Sequence, residues 1–423
     1  MEYLAMQKNI PVVKKVDVVV CGGGPAGLAA AIAAARNGVQ TLLIEQFNCL
    51  GGMATAGLVG PFMPTAGEKG GIYKELLERL EKNKGAEGRD FDVESLKYFA
   101  QMMCEESGVK FLLHSFVCNV VIEGNYIKAV IVANKSGLQA ISPEIVIDAT
   151  GDGDVAFFAG AKYEKGDKDG KCQPTTMMFH IRGIDETKIP PADEIKRKVK
   201  LARSKGEITL PDYVNYIWGH KGSTIRNGEI SINLDMTTGI DGTDPEVLMQ
   251  AEVEGRRLVW ECLRFIRKYI PGAENAYISK TPFLYGIRET RRILGKYLLT
   301  KDDVLQARKF EDGIAKGSFF IDLHGSHIQD KEWVKSHRVP EGDWYEIPYR
   351  CLLPKDIDNL LTAGRCISSD RGANGSLRII PTCMATGQAA GTAAAMAVKG
   401  KTKPGEIKGE KVREILISQG ADL

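Results

Sequence analysis

The sequence predicts an α/β fold built on a parallel sheet, with a second, α+β domain inserted into the first. A β-branched run at residues 15–21 has the composition of a buried parallel strand. Glycines follow it, then an alanine-rich helical segment at 28–37 and a second strand at 40–44. Further apolar strands at 145–149 and 359–363 also end in glycine-containing turns. Because these strands lie so far apart, the chain is expected to leave the first domain and return to it.

A glycine-rich turn connects the first strand to its helix. Gly22, Gly24 and Gly27 fit the GxGxxG spacing, with Pro25 and Ala26 between them. The first glycine permits a tight turn, the second lets the backbone approach a pyrophosphate, and the third lets the helix pack on the strand. The helix N-terminus would then face the anion. This arrangement predicts dinucleotide binding.

An acidic residue ends the second strand. Glu45 lies 18 residues after Gly27. A carboxylate at this place accepts hydrogen bonds from a ribose diol and repels a 2′-phosphate. Glu45 and the adjacent Gln46 are therefore predicted to contact the nucleotide.

The composition is that of a globular protein and excludes several classes. The 423 residues include 56 Lys and Arg against 54 Asp and Glu, for a net charge of +2. A bulk attraction to nucleic acid or to a membrane surface is therefore not expected. No apolar run reaches the roughly 18–20 residues that span a bilayer, and residues 1–15 lack the apolar region of a secretion signal. Nine cysteines without a CxxC pair favour reduced thiols in the cytoplasm and no metal site.

Three later segments decide between FAD and NAD. They are NCLGGMAT at 48–55, the turn ATGDGD at 149–154, and a strand-end glycine followed by a small-residue helix at 364–399. A typical NAD dehydrogenase has no Gly-Gly pair after the acidic strand. Through the family resemblance that these segments carry, described next, they imply cofactor contacts at Gly51, Gly52, Met53, Ala149, Gly151, Asp152, Gly364, Arg365, Arg378 and Thr382.

These segments resemble the FAD-dependent oxidoreductase family, in the superfamily built like glutathione reductase and fumarate reductase flavoproteins and related to the flavin subunit of heterodisulfide reductase. The resemblance spans nearly the whole chain and also includes GIRETRRILGKYLLTKDDV at 286–304, IDLHG at 321–325 and the segment 347–368. It implies FAD as the cofactor. It also implies that the last helix points its positive end at the flavin, where it would stabilise the reduced anion.

Missing motifs narrow the activities that the resemblance implies. Cys49 has no partner in a CxxxxC motif, so dithiol catalysis is not expected. Because there is no histidine beside the Gly-Gly pair, the FAD is predicted to be bound without a covalent bond. The WxWxIP motif of flavin halogenases has Asp343 and Tyr345 at its Trp positions, which argues against halogenation. There is no second GxGxxG for a separate NAD(P)H domain and no ferredoxin-like cysteine cluster.

The organisation follows from these positions. We predict an FAD-binding domain from residues 1–160 and 346–423, with a substrate domain at 161–345 inserted between the two parts. In the first part, residues 111–121 and 126–133 are expected to form a small hairpin layer that turns at Gly124 and Asn125. The resemblance implies that the backbone near Val117 meets the adenine.

The inserted part shows its own pattern. Residues 176–181 and 229–236 are predicted strands, and 244–269 is a long helix with a charged face. The basic run at 196–205 fits a solvated helix face, and docking of an acidic partner is the alternative.

His324 is the leading candidate for acid–base chemistry. Asp322 is predicted on the same face of one strand, where its carboxylate would orient the imidazole. The alternative is a histidine that binds backbone at the domain junction. Arg288 or Arg292 would clamp a substrate carboxylate, whereas ion pairing with Glu289 is the alternative role for these arginines.

The other histidines and the tryptophans have no metal-ligand spacing. We expect His180, His220, His327 and His337 to be structural or exposed. Trp218, Trp333 and Trp344 are expected in the aromatic core, with the lining of the substrate pocket as the alternative.

The predicted function is hydride transfer between flavin N5 and a carbon of a small organic substrate bound between the domains. Three alternatives stay open: an electron-transfer subunit with a redox protein partner, a flavin-dependent monooxygenase, and a flavin-binding structural protein. The sequence sets neither the substrate nor the oligomeric state.

Overall fold

The computed structural model describes residues 9–212, 214, 216–235, 240–324 and 335–423. The strands are β1 (Val12–Cys21), β2 (Thr41–Ile44), β3 (Ala86–Glu87), β4 (Asp90–Phe91), β5 (Lys110–Leu112), β6 (Phe116–Glu123), β7 (Tyr126–Asn134), β8 (Gly137–Asp148), β9 (Tyr163–Lys165), β10 (Thr176–Arg182), β11 (Glu229–Asp235), β12 (Tyr277–Lys280), β13 (Arg291–Ile293), β14 (Gly313–Gly317), β15 (Tyr345–Pro348) and β16 (Leu360–Thr362).

The helices of the described residues are α1 (Pro25–Arg36), α2 (Gly71–Lys82), α3 (Val93–Glu106), α4 (Asp154–Phe158), α5 (Ala192–Ser204), α6 (Pro245–Tyr269), α7 (Lys301–Leu305), α8 (Arg371–Leu377), α9 (Ile380–Gly400) and α10 (Gly409–Ser418). Gly325, His327 and Trp333, together with Met236 at the end of a predicted strand, lie outside the described residues.

The main sheet has the order β5-β2-β1-β8-β7-β6, and β16 also pairs with β8. The strands β5, β2, β1, β8 and β16 run parallel, which confirms the α/β fold class. Strand β8 is long enough to pair with two strands along one edge. Its first residues pair with β7, and its last residues pair with β16. The chain thus returns to the sheet at β16, as the two distant strand motifs predict.

The hairpin prediction was wrong in two respects. Phe111 belongs to β5, which pairs in parallel with β2, whereas the hairpin strand begins at Phe116. His114 between them adopts a left-handed φ of 53°, which interrupts the strand. The hairpin of β6 and β7 also joins the main sheet through β8 instead of forming a separate layer.

Helices α1 and α9 pack with their backbones in close contact. A Cβ atom on Gly387 would lie 2.0 Å from the carbonyl oxygen of Ala26, and one on Gly391 would lie 2.1 Å from that of Ala30. Only glycine fits at such distances. The small residues of the last helix, which the sequence linked to the flavin, are thus also required by helix packing.

The segment between Met177 and Tyr285 has its own hydrophobic core. The sheet β11-β10-β12 packs against α5 and α6 through side chains such as Phe179, Val199 and Leu258. Residues such as Ile314 and Ile347, which come later in the chain, pack instead with α1 and α9 in the larger core. The domain boundaries at residues 160 and 345 stay a prediction.

The substitution Gly387→Ala is expected to destabilise the fold because its methyl group would meet backbone that cannot move without separating α1 from α9. Overpacking of this kind costs roughly 1–3 kcal/mol, and more where backbone must shift. Gly400→Ala, in the last turn of the same helix, is the control, since its Cβ would find Thr402 only at 3.4 Å. Denaturant unfolding of both variants measures the difference, and equal midpoints would contradict the packing argument.

Candidate functional site

One cavity of about 300 Å³ joins the glycine turn of α1 to the candidate acid–base residues. Its wall also includes the ends of β2 and β8, the loop after β14, and the start of α9. The sequence-predicted residues that line it are Gly22, Gly24, Pro25, Ala26, Glu45, Gln46, Gly52, Met53, Val117, Ala149, Gly151, Asp152, Arg288, Asp322, His324, Gly364, Arg365 and Arg378. Gly27, Gly51 and Thr382 do not line it.

The glycine turn is shaped by backbone contacts that a side chain would block. Gly22 has a φ of +98°, and a Cβ on it would lie 2.6 Å from the carbonyl oxygen of Ala149. A Cβ on Gly27 would lie 1.8 Å from the carbonyl oxygen of Gly22. Gly24 is the N-cap of α1 and provides no side-chain cap. The α1 N-terminus therefore faces the cavity with its positive end, as a phosphate-binding turn requires.

Glu45 orders this turn as well as lining the cavity. Its Oε2 accepts a hydrogen bond of 2.7 Å from the Gly23 N–H, and its Oε1 accepts one of 2.9 Å from the Phe47 N–H. Burial raises the pKa of the Glu45 carboxyl, whereas these backbone donors lower it. Each carboxylate oxygen can accept a second hydrogen bond, so a ribose diol can still be bound.

The Gly-Gly pair lies directly against the glycine turn. Gly51 and Gly52 have φ values of +104° and +48°, and the Gly51 N–H donates to the carbonyl oxygen of Gly23 at 2.8 Å. A Cβ on Gly52 would lie 2.7 Å from the Cα of Gly24. Gly51 therefore stabilises the glycine turn on the side away from the cavity, and only Gly52 of the pair lines the cavity.

Asp152 and Arg365 form a polar bridge in the cavity wall. Asp152 Oδ1 accepts hydrogen bonds from Arg365 Nη2 at 2.8 Å and from the Thr290 hydroxyl at 2.6 Å. Arg365 Nη1 is buried and has no hydrogen-bond partner among the described residues. An unsatisfied buried guanidinium nitrogen is costly. The free donor of Arg365 and the close backbone packing of the glycine turn therefore both fit a polar, anionic dinucleotide in this cavity.

The candidate acid–base residues form a cluster with Arg378. His324 Nε2 lies 3.2 Å from Asp322 Oδ1, and Arg378 Nη2 donates to Asp322 Oδ2 at 2.9 Å. Burial raises the pKa of the Asp322 carboxyl, whereas the positive charge of Arg378, together with His324 and Arg288, lowers it. The lowering is the larger effect, so the pKa lies below its usual value. The carboxylate is therefore ionised and can hold the imidazole in place.

The predicted strand at Asp322 and His324 was wrong, although the two side chains do meet. β14 ends at Gly317, and residues 321–323 have no regular structure. The segment is held instead by α8, because a Cβ on Gly375 would lie 3.0 Å from the carbonyl oxygen of Asp322. The His324 N–H also donates to Gln173 Oε1 at 3.2 Å.

The two candidate arginines have different places. Arg288 lines the cavity and donates to the carbonyl oxygen of Pro174 at 2.7 Å. Arg292 does not line the cavity and is buried against Glu289, with Nη1 and Oε1 2.7 Å apart. Glu289 also pairs with Arg371. Arg288 thus remains the candidate for a substrate contact, whereas Arg292 belongs to a buried ion-pair network.

Several lining residues were missed by the sequence analysis. They include Phe47, Asp154, Met178, Asn233, Tyr285, Phe319 and Cys383. Asp154 could have been predicted, because it is the last residue of the ATGDGD motif. Burial and the nearby carboxylates of Asp152 and Asp148 raise its pKa to about 6, although Arg291 acts in the opposite direction. Met178 follows from the period of two in β10, because Met177 and Phe179 face the second core and Met178 faces the larger one.

His180, His220 and His337 do not line the cavity. His180 is fully buried and its Nε2 lies 2.8 Å from the Ser223 hydroxyl. Trp218 and Trp344 do not line the cavity. In the described part of the chain, no cluster of three or more His, Cys, Asp or Glu side chains forms a metal site. None of the described helices is long and apolar enough to cross a membrane.

Residues 17–416 match the profile of the family described as FAD dependent oxidoreductase. A thiamine thiazole synthase from Methanococcus aeolicus is 32% identical over 164 residues, which cover 36% of this chain and 60% of that protein. The tRNA uridine 5-carboxymethylaminomethyl modification enzyme of Aquifex aeolicus is 29% identical over 28% of this chain and 22% of that protein. This chain therefore matches less than two thirds of the length of either relative.

Among solved structures, a geranylgeranyl bacteriochlorophyll reductase-like protein from Thermoplasma acidophilum has a TM-score of 0.47 and 13% identity. That alignment covers 96% of this chain and 84% of the other. A myxobacterial chondrochloren halogenase has a TM-score of 0.46 and 13% identity, over 95% of this chain and 78% of the other.

Gly52→Ala is expected to weaken flavin binding, because its methyl group would meet the Cα of Gly24 and displace the two glycine segments from each other. We expect the dissociation constant for FAD to rise at least about tenfold, which corresponds to roughly 1.4 kcal/mol. Titration of apoprotein with FAD, followed by flavin fluorescence, measures it. Gly124→Ala is the control, since it has a similar positive φ of 61° with nothing within 4 Å of its Cβ. Equal affinities of the two variants would contradict the prediction.

Proposed function

The chain belongs to the FAD dependent oxidoreductase family, and within that family we propose that it transfers a hydride between flavin N5 and a carbon of a small organic substrate. The observation that carries this proposal is the shared cavity. The glycine turn of α1 and the cluster of Asp322, His324 and Arg378 line the same cavity. A substrate held at that cluster would lie in the same cavity as the cofactor.

FAD, when bound, supplies the two-electron acceptor or donor. The residues that would hold it are those of the glycine turn, Glu45, Gly52 and Arg365. The unpartnered Nη1 of Arg365 and the uncapped N-termini of α1 and α9 are the groups available to stabilise negative charge there. We propose that the cofactor is held without a covalent bond.

His324 moves the proton that must accompany hydride transfer to or from carbon. Asp322 Oδ1 lies 3.2 Å from Nε2 of the imidazole, where the carboxylate can orient the ring for this transfer. Arg378 keeps Asp322 ionised through their 2.9 Å contact. The ionised carboxylate in turn stabilises the imidazolium when His324 takes up a proton.

Arg288 would orient the substrate. Its guanidinium lines the cavity beside the acid–base cluster, and its Nη1 bond to Pro174 fixes its direction. A fixed guanidinium recognises a carboxylate by two parallel hydrogen bonds. The proposed substrates are therefore small organic acids with an oxidisable or reducible carbon.

Two finer assignments belong to the same proposal. The Gly-Gly pair against the glycine turn and the return of the chain at β16 support kinship with the glutathione reductase and fumarate reductase flavoproteins and with the heterodisulfide reductase flavin subunit. The cysteines are all unpaired, which supports a reducing compartment such as the cytoplasm.

Anaerobic flavin absorbance tests the direction of electron flow. We expect that NADH and NADPH leave the flavin of the purified enzyme oxidised, and that a member of a panel of hydroxy acids, amino acids, alcohols and amines bleaches it. Rapid bleaching by a nicotinamide would contradict electron entry from the organic substrate and favour a reductase or monooxygenase. Reduction by a ferredoxin-like protein alone would instead support the electron-transfer alternative.

His324→Gln is expected to lower turnover by roughly 10²–10⁴-fold, because general acid–base catalysis contributes rate factors of that size. Flavin content should stay unchanged. His220→Gln is the matched control, since His220 is exposed and does not line the cavity. Turnover of the His324 variant that equals the wild type across the pH profile would exclude the assigned role.

A further inference from the structure

Helix α6 carries an apolar stripe on its solvent side. Met249, Val253 and Trp260 are 56%, 60% and 56% exposed. Spacings of four and seven residues place all three on one side of a helix. The opposite side, with Leu258 and Phe265, is buried in the second core. Single exposed apolar residues are normal on a protein surface, but three large ones on one side of a helix indicate an interaction surface.

Charge along the exposed side of α6 changes sign at its middle. The first half contains Glu246 and the second half contains Arg264 and Arg267, all exposed. The helix macrodipole favours this distribution, but it does not explain the apolar stripe. Glu246 and Arg264 form no ion pair with another described residue.

The charges at the centre of the helix are neutralised within it. Arg256 pairs with Glu252, and Arg257 Nη2 lies 2.6 Å from Glu254 Oε1. The centre can therefore approach another helix without bringing unpaired like charges together.

We propose that this stripe is the interface of a homodimer, in which α6 packs antiparallel against α6 of a second copy. A two-fold axis near residues 254–255 sets Met249 against Trp260 of the second copy, and this contact occurs twice. The same register brings Glu246 close to Arg264 of the second copy. An isologous interface requires such a self-complementary patch.

The size of the surface fits this arrangement. The 25 residues of α6 extend over about 37 Å at 1.5 Å per residue. A partner of uniform charge would be attracted to one half of the helix and repelled by the other, whereas a second copy of α6 complements both halves.

Sedimentation velocity of the FAD-loaded enzyme tests the proposal. Between about 1 and 100 µM, the wild-type protein should have twice the mass of the chain. Trp260→Glu should raise the dimer dissociation constant roughly 30-fold or more, which is the minimum effect of an interface hot spot. Tyr98→Glu on α3 is the matched control, since Tyr98 is 57% exposed, and it should leave the mass unchanged.

A charge exchange tests the antiparallel register and does not depend on the Trp260 variant folding. Arg264→Glu should weaken the dimer, and the double variant Glu246→Arg with Arg264→Glu should restore it. Flavin absorbance and circular dichroism verify that each variant is folded. The proposal is overturned if the wild-type protein is a monomer at 100 µM. It is overturned equally if that monomer uses α6 to bind a different protein. A dimer that Trp260→Glu leaves intact, or a double variant without rescue, overturns it as well.

Discussion

The close backbone contact between α1 and α9 is the constraint on which the rest of the site depends. Gly387 and Gly391 allow the two helices to touch along consecutive turns. As a result, the N-terminus of α1, with Gly24 to Ala26, and that of α9, with Ile380 and Cys383, both reach the same cavity. The positive ends of two helices without side-chain caps therefore lie at one cavity. The packing of apparently featureless small residues thus determines where negative charge can be bound.

Charged side chains around the cavity are arranged as pairs that come from distant parts of the chain. Asp152 meets Arg365, and Asp322 meets Arg378, and all four side chains are partly exposed. Removing one member of such a pair would leave the other charge poorly solvated and without its partner. These pairs therefore lock the loop after β8 and the loop after β14 to the segments around β16 and α8. Unsatisfied nitrogens remain on Arg365 and Arg378, so the same pairs still have donors for a ligand.

The acid–base cluster is positioned by this framework rather than by a strand of its own. Asp322 is held by Arg378 and by the close approach of Gly375. His324 is held by Asp322 and, through its N–H, by Gln173. The Gln173 backbone N–H donates in turn to the buried Glu289. Asp322 therefore orients the imidazole, whereas Gln173 positions the backbone of His324, and this is the kind of preorganisation that proton transfer requires.

The sequence by itself determined the parts of this protein that are local in the chain. The glycine spacing and the acidic residue after β2 depend on neighbouring residues, and the strand, turn and helix around them were predicted within a few residues. FAD was inferred from the resemblance to the FAD-dependent oxidoreductase family. The tertiary structure alone decided which arginine reaches the cavity, why Gly51 and Thr382 do not, and how Asp322 meets His324 without a strand. Those outcomes depend on contacts between segments separated by tens to hundreds of residues, and no periodicity in the sequence records the distance or direction of such contacts.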